Sequence, residues 1–220
     1  IPEETARRAK FIYINYPNNP TGAVATKAFY EKLVAWAKTY EVGVVSDLAY
    51  GALGYRGYEN PSFLSTPGAK DVGIEFYTFS KTFNMAGWRL AFAAGNDQMI
   101  EALNLIQDHL FVGIFPALQE AGIAALLDPK SEEAVAQLNA TYDSRRDAFV
   151  QAAAKIGWKA FPSKGSFYAW MPVPEGYTSE SFADLLLEKA HVAVAPGKGF
   201  GPAGDAYVRI GLLVEPERLV

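Results

Sequence analysis

The chain has 220 residues, half of them hydrophobic and 20% charged, with a net charge of −4 and no cysteine. This is enough apolar material for a core at this length, and it excludes disulfides, cysteine–zinc sites and a cysteine nucleophile. The acidic balance without any dense Lys/Arg run argues against nucleic acid. The only two histidines, His109 and His191, stand in no carboxylate cluster, and no apolar run reaches the roughly 18–20 residues of a membrane span.

The opening residues, Ile1-Pro2-Glu3-Glu4-Thr5, lack the basic start and apolar stretch of a signal peptide. With no initiator Met and an abrupt stop at Leu219-Val220, the chain reads as a fragment of a longer protein. Phe11 to Asn15 is an apolar, β-branched and aromatic run that ends in a Pro/Asn/Gly cluster, Tyr16 to Gly22, as a strand entering a loop does. Thr26 is placed to cap a helix over Lys27 to Tyr40, where Phe29, Leu33, Trp36 and Ala37 recur at helical spacing. Strands are expected over Val42–Asp47, Ile74–Ser80 and Trp88–Ala94. Strands alternating with helical stretches imply an α/β sheet, mainly parallel, with helices on both faces. From Asp97 to about Ala154 the pattern is helical, broken near Gly113–Pro116 and Asp128-Pro129. Beyond Gly157 the expectation is a small α+β domain: strands at Trp158–Phe161, Phe167–Met171, Val192–Val194 and Ala206–Leu212, with a helix over Ser179–Lys189. The domain boundary is placed near residue 112. There is no internal repeat.

Four clusters fall at strand ends or just after them, where open α/β sheets bind ligands. They are Asn15-Tyr16-Pro17-Asn18-Asn19-Pro20-Thr21-Gly22, Ser46-Asp47-Leu48-Ala49-Tyr50, Thr78-Phe79-Ser80-Lys81-Thr82-Phe83 and Met85-Ala86-Gly87-Trp88-Arg89. Each alone has a plain reading: a turn, a turn-forming or capping aspartate, a packed tyrosine, a solvated lysine, a surface arginine. Their joint spacing is what carries weight. Asn19 precedes Asp47 by 28 residues, Tyr50 follows Asp47 by three, and Arg89 follows Lys81 by eight.

The pattern resembles the aminotransferases of the fold-type I pyridoxal-phosphate (PLP) enzymes (class I/II) over essentially the whole chain. The run Ser80-Lys81-Thr82-Phe83-Asn84-Met85-Ala86-Gly87-Trp88-Arg89 is its most specific part. Ser46-Asp47-Leu48-Ala49-Tyr50 is similar to the bacterial branch of alanine and LL-diaminopimelate aminotransferases. The resemblance implies that the chain is the C-terminal part of such an enzyme: residues 1–112 the end of the large PLP-binding domain, residues 113–220 the small C-terminal domain. It implies a cytoplasmic homodimer that moves an amino group between an L-amino acid and a 2-oxo acid, with neither metal, nucleic acid nor membrane as partner.

The same resemblance assigns roles. Lys81 forms the Schiff base with the cofactor and, once freed, moves the Cα proton; it must be neutral to do so, so its pKa is expected to be lowered. Asp47 is expected as a buried carboxylate against the pyridine nitrogen. Asn19 and Tyr50 donate to the ring oxygen, and Ser80 and Arg89 bind the phosphate. Far along the chain, Arg209 interrupts the apolar strand Tyr207-Val208-Arg209-Ile210. It is either an edge-strand charge reaching solvent or, by resemblance, the fork that grips the substrate α-carboxylate. The loops Gly165–Tyr168 and Pro196–Gly201 are either plain turns or substrate-side loops. The apolar stretch Val112–Pro116 is either core packing or part of a dimer interface.

In the family a phosphate-holding helix start and a ring-stacking aromatic lie upstream of this region, so the 220 residues by themselves are expected to be inactive. Two other functions share these residues: a PLP-dependent C–S lyase, and the aminotransferase-like sensor domain of a transcription regulator.

Overall fold

The apolar runs around Phe11, Val44 and Ile74 form neighbouring parallel strands in the computed structural model, which describes residues 1–219. After a short helix, α1 (Glu3–Arg8), come β1 (Phe11–Asn15), α2 (Lys27–Tyr40), β2 (Gly43–Asp47), α3 (Ala69–Val72) and β3 (Gly73–Thr78). Register sets Asn15 opposite Asp47 and Asp47 opposite Phe76.

Side chains alternate across a strand, so each face of this sheet takes its own helix. Ile12, Ile14 and Val44 pack on one face against Tyr30, Leu33, Val34 and Ala37 of α2. Thr26 caps that helix, its side chain accepting from the Phe29 N–H. On the other face Phe11, Tyr13, Val45, Ile74 and Phe76 look toward α5 (Asp97–Leu110) across a cavity of about 420 Å³.

Two strand ends differ from expectation. β3 stops at Thr78, whose hydroxyl accepts from the Ser80 N–H and caps a single helical turn, α4 (Phe79–Thr82). Ser80 and Lys81 therefore sit on that turn rather than on the strand. The segment expected as a strand from Trp88 opens with a 3-10 turn at Ala86–Trp88 and a left-handed Arg89 (φ 54°). Its strand, β4 (Ala91–Gly95), begins only afterwards and runs antiparallel to β3, with Thr78 opposite Ala91.

The chain divides into two compact units, the first made of Ile1–Pro17, Val24–Leu53 and Glu59–Gln137 and the second of Asn18–Ala23, Gly54–Tyr58 and the residues from Leu138 on. The change of unit thus falls inside α7 (Ser131–Lys155), not near residue 112. Packing explains the difference. In α6 (Pro116–Leu127), a Cβ on Gly122 would lie 2.7 Å from the Leu90 side chain and 3.2 Å from the Phe79 ring. Glycine leaves room for the Leu90 and Phe79 side chains there, and this contact belongs to the first unit.

The second unit contains β5 (Tyr168–Pro172), α8 (Ser179–Ala190), β6 (Ala195–Pro196), β7 (Tyr207–Gly211) and α9 (Pro216–Leu219). Its antiparallel sheet has the order β5-β7-β6. Ala169, Met171, Val208 and Leu212 pack with Phe149 and Ala153 of α7 and Phe182 of α8. Tyr168, Trp170 and Arg209 alternate with those residues and so belong to the opposite face.

Two expected strands are absent among the described residues. Trp158–Phe161 is irregular: the Trp158 indole N–H donates to the Pro172 carbonyl (2.7 Å) and its ring packs edge-on to Phe182, which leaves Phe161 exposed. At Val192–Val194 the chain is still closing α8, with His191 left-handed (φ 56°) and the Val192 N–H on the Leu186 carbonyl. Pairing starts at Ala195.

Candidate active site

In the first unit the carboxyl ends of β2 and β3 emerge at one edge of the sheet. Asp47 ends β2, and Ser80 and Lys81 follow β3 on the α4 turn. The antiparallel course of β4 brings Arg89 to the same edge, since Leu90 accepts from the Phe79 N–H (3.2 Å) just before β4 begins. Five expected residues therefore gather there: Asp47, Tyr50, Ser80, Lys81 and Arg89.

Each has a definite setting. One Asp47 oxygen, Oδ1, accepts from the Ala49 N–H (3.0 Å), the turn-forming role that the sequence also allowed. Asp47 is exposed, not buried as expected, because it is the last residue of its strand, and Oδ2 has no hydrogen-bond partner among the described residues. Beneath it, Ser46 is fully packed and its hydroxyl donates to Glu75 (3.0 Å). Tyr50 is buried in the turn that follows. Ser80 is buried, its hydroxyl 3.0 Å from that of Thr78, whose single proton also faces the Leu90 carbonyl (3.3 Å). Lys81 is half-buried at the end of α4. Arg89 is exposed, and its Nη1 donates to the Ala86 carbonyl (3.0 Å).

Glu75 was not singled out by sequence reasoning. Only 6% of it is exposed, and it accepts from Ser46 Oγ (3.0 Å), Ser62 Oγ (2.5 Å) and the Phe63 N–H (2.8 Å). A charge this buried must be hydrogen-bonded. It locks the strand that carries Asp47 to its neighbour. The signal was there: an acid inside the apolar run Ile74-Glu75-Phe76.

In the second unit Arg209 lies on β7, the middle strand of its sheet, so it is no edge-strand charge. It is half-buried, and its Nη1 donates to Asn19 Oδ1 (2.7 Å). Because a guanidinium only donates, this bond fixes which way the Asn19 amide points. The guanidinium carbon lies 4.3 Å from the centre of the Tyr168 ring and 4.8 Å from that of Phe200. Tyr168 and Phe200 belong to the two loops left open between turn and substrate contact. Neither ring could be tied to Arg209 from sequence spacing.

Among the described residues no carboxylate pairs with Arg209. The other buried arginine of this unit is treated differently. Arg146, 4% exposed, is held by Asp143 and Asp147 at 2.6 Å each and stacks on the Tyr55 ring. Burial alone would raise the Asp147 carboxyl, but hydrogen bonds from Arg146 and Arg56 outweigh it and hold Asp147 below the usual carboxylate range. Tyr55 donates to the Ser166 carbonyl, and burial pushes its phenol well above the ordinary tyrosine value. Tyr55, Arg56, Arg146 and Asp147 line a cavity of about 560 Å³ in which Arg56 and Arg146 pair with Asp147, while Lys164 lies over the Tyr58 ring. It contains none of the expected site residues.

The family model described as "Aminotransferase class I and II" matches residues 1–219. The chain belongs to this aminotransferase family. Over its whole length it is 58% identical to an L-glutamine–4-(methylsulfanyl)-2-oxobutanoate aminotransferase of Bacillus subtilis, covering 54% of that protein. It is 49% identical to an LL-diaminopimelate aminotransferase of Moorella thermoacetica, covering 56% of it. A solved aminotransferase structure from Staphylococcus aureus superposes on all of the chain with a TM-score of 0.95 at 40% identity, and 57% of that structure is covered. The chain thus spans about half the length of the aminotransferases it matches. The likeness extends over both units, so the mixed sheet with helices on both faces and the smaller α+β unit are the architecture of this aminotransferase family. No helix among the described residues is long and apolar enough to cross a membrane, and no cluster of three or more metal-type ligands occurs among them.

Proposed function

We propose that the intact protein is a PLP-dependent aminotransferase that moves an amino group between an L-amino acid and a 2-oxo acid. The observation that carries this reading is Arg209: a half-buried guanidinium with no carboxylate partner among the described residues. A cation left in that state is a standing site for an anion, and its planar fork matches a carboxylate.

The donor set of the first unit fits pyridoxal phosphate. A primary amine (Lys81), a buried hydroxyl (Ser80), a guanidinium (Arg89), a phenol (Tyr50) and a carboxylate oxygen without a hydrogen-bond partner among the described residues (Asp47 Oδ2) share one sheet edge. When bound, the cofactor supplies an electron-withdrawing ring that takes up the charge left as a Cα–H bond breaks. Ser80 Oγ and Arg89 would hold its phosphate, and Asp47 Oδ2 would keep a proton on the ring nitrogen. Tyr50 donates to the ring oxygen. Lys81 Nζ is the attachment point and the base that takes the Cα proton and returns it. In the second unit Arg209 receives the substrate α-carboxylate and so orients the Cα–H bond. Asn19 serves Arg209 through Oδ1.

We further propose a cytoplasmic homodimer. Leu110, Phe111, Val112 and Phe115 are between 69% and 87% exposed in this chain. Contiguous apolar exposure of this kind marks an interface.

The relative at 58% identity suggests the first substrate pair, L-glutamine with 4-(methylsulfanyl)-2-oxobutanoate. The test is a panel of amino donors and 2-oxo acids offered to the intact protein, with both products followed by mass spectrometry. Paired appearance of a new amino acid and a new 2-oxo acid is expected. Release of ammonia and pyruvate from a thioether amino acid, without amino transfer, would overturn the proposal.

A further inference from the structure

Arg209 must present its fork in one direction if it is to orient a carboxylate, yet an arginine has four flexible side-chain bonds. Asn19 fixes rotation within the guanidinium plane at Nη1. The other contacts of the guanidinium among the described residues are aromatic. Trp170 lies directly across from Arg209 on β5, and Tyr168 is two residues away on the same face. Trp170 stacks on Tyr207 (5.3 Å, 15°) and meets Phe200 edge-on at 5.9 Å. Tyr168 and Phe200 in turn lie within cation–π distance of the Arg209 guanidinium.

Phe200 is on a loop, and the loop is clamped. A Cβ on Gly197 would lie 2.2 Å from the Gly204 carbonyl oxygen, 2.5 Å from that of Tyr207 and 2.8 Å from the Trp170 ring. The backbone is therefore pressed against the sheet. From the other side the buried Ser179 hydroxyl donates to Asp205 (2.8 Å) and accepts from the Lys198 N–H (3.2 Å), tying the loop to the start of α8. The turn Gly197–Phe200 is thus held at both flanks.

We propose that Tyr168 and Phe200 are positioning residues for the carboxylate-binding arginine, with the Gly197–Gly204 contact and the Ser179–Asp205 pair holding Phe200 in place. This rests on the reading of Arg209 given above. Two rings lie close to the guanidinium carbon, at 4.3 and 4.8 Å, and a guanidinium tolerates such apolar neighbours because it is weakly hydrated. The low-polarity surroundings also strengthen the ion pair that forms there.

The experiment compares variants of the intact protein in amino transfer. Phe200→Ala and Tyr168→Ala should each raise KM for the amino acid by about fivefold, the loss of one partly desolvated cation–ring contact, with kcat within about twofold. Tyr168→Phe keeps the ring and should restore the wild-type KM. Should Phe200→Ala not fold, Phe200→Leu keeps the packing against Trp170, removes the π face and carries the same test. Arg209→Lys is the control for the underlying reading and should raise KM far more than any ring variant. If Arg209→Lys raises KM but the ring variants leave it unchanged, or lower kcat instead, the positioning role is wrong. If Arg209→Lys itself has no effect, the carboxylate reading falls, and the positioning role with it. The Arg209 side-chain N–H resonance gives an independent check: ring currents should displace it in the wild type and in Tyr168→Phe. A shift unchanged in Phe200→Leu and Tyr168→Ala would also overturn the inference.

Discussion

Replacing Arg209 by Met should separate function from stability, and Arg146→Met provides the contrast. Arg209→Met removes two ring contacts worth about 1 kcal/mol each and one charged hydrogen bond to Asn19, whose half-buried amide can turn back to water. Against that, it relieves the desolvation of a cation with no carboxylate partner among the described residues, a penalty of several kcal/mol for a fully buried ion and less for this half-buried one. The apolar stem of Met also packs well on the rings. The expected net change in folding stability is within about 1 kcal/mol of zero. Arg146→Met strands Asp143 and leaves Asp147 with Arg56 alone, their side chains being 30% and 35% exposed. Breaking a buried pair costs about 3–5 kcal/mol; partial contact with water reduces this to about 2–3 kcal/mol. Urea unfolding followed by far-UV circular dichroism measures both. For substrate, Arg209→Met should raise KM by about a hundredfold or more, since two charge-assisted hydrogen bonds are lost. If Arg209→Met were as destabilising as Arg146→Met and left KM unchanged, Arg209 would be a structural ion and the reasoning would fail.

Gly197→Ala should cost about 1–3 kcal/mol of stability, since carbonyl oxygens of Gly204 and Tyr207 stand 2.2 and 2.5 Å from the added Cβ and only backbone movement relieves them; a thermal melt within error of wild type would contradict the clamp. Burial raises the phenol of Tyr55, as it does those of Tyr77 and Tyr142. A raised folded-state value means full stabilisation below the unfolded tyrosine value of about 10 and loss as pH rises through the folded one. Stability should therefore be flat toward pH 9 and fall above it. Tyr55→Phe should flatten that fall and cost about 1–2 kcal/mol at neutral pH through the unpaired Ser166 carbonyl. Unfolding curves from pH 8 to 11 decide this, and an unchanged alkaline slope in Tyr55→Phe would count against it.

Local pattern carried the first unit far. Thr26, the helical spacing of Leu33 and Ala37, and the apolar runs of β1 and β2 each point to the element observed, because capping and periodicity are local physics. Strand direction is not local: nothing between Thr82 and Leu90 announces that β4 runs backwards, yet that reversal brings Arg89 to the edge where Lys81 stands. Trp158 shows the opposite limit, a residue of strand type taken out of any strand by an indole bond to Pro172 and packing on Phe182. The change of compact unit within α7 rests on packing such as that of Gly122 beside Leu90 and Phe79, which no local sequence pattern displays. The candidate residues themselves were legible through the spacing of their motifs. Their settings were not: Arg209 finds Asn19 across 190 positions of sequence, and the exposure of Asp47 depends on where its strand ends.

The central claim is that Lys81 is the attachment point for the cofactor. The most direct measurement is the absorption spectrum of the intact protein after loading with pyridoxal phosphate and removal of excess, for wild type, Lys81→Ala and the control Lys70→Ala. The account predicts a protein-bound cofactor band in wild type and Lys70→Ala that is absent from Lys81→Ala, with amino transfer lost alongside it. An unchanged band and unchanged transfer in Lys81→Ala would contradict it.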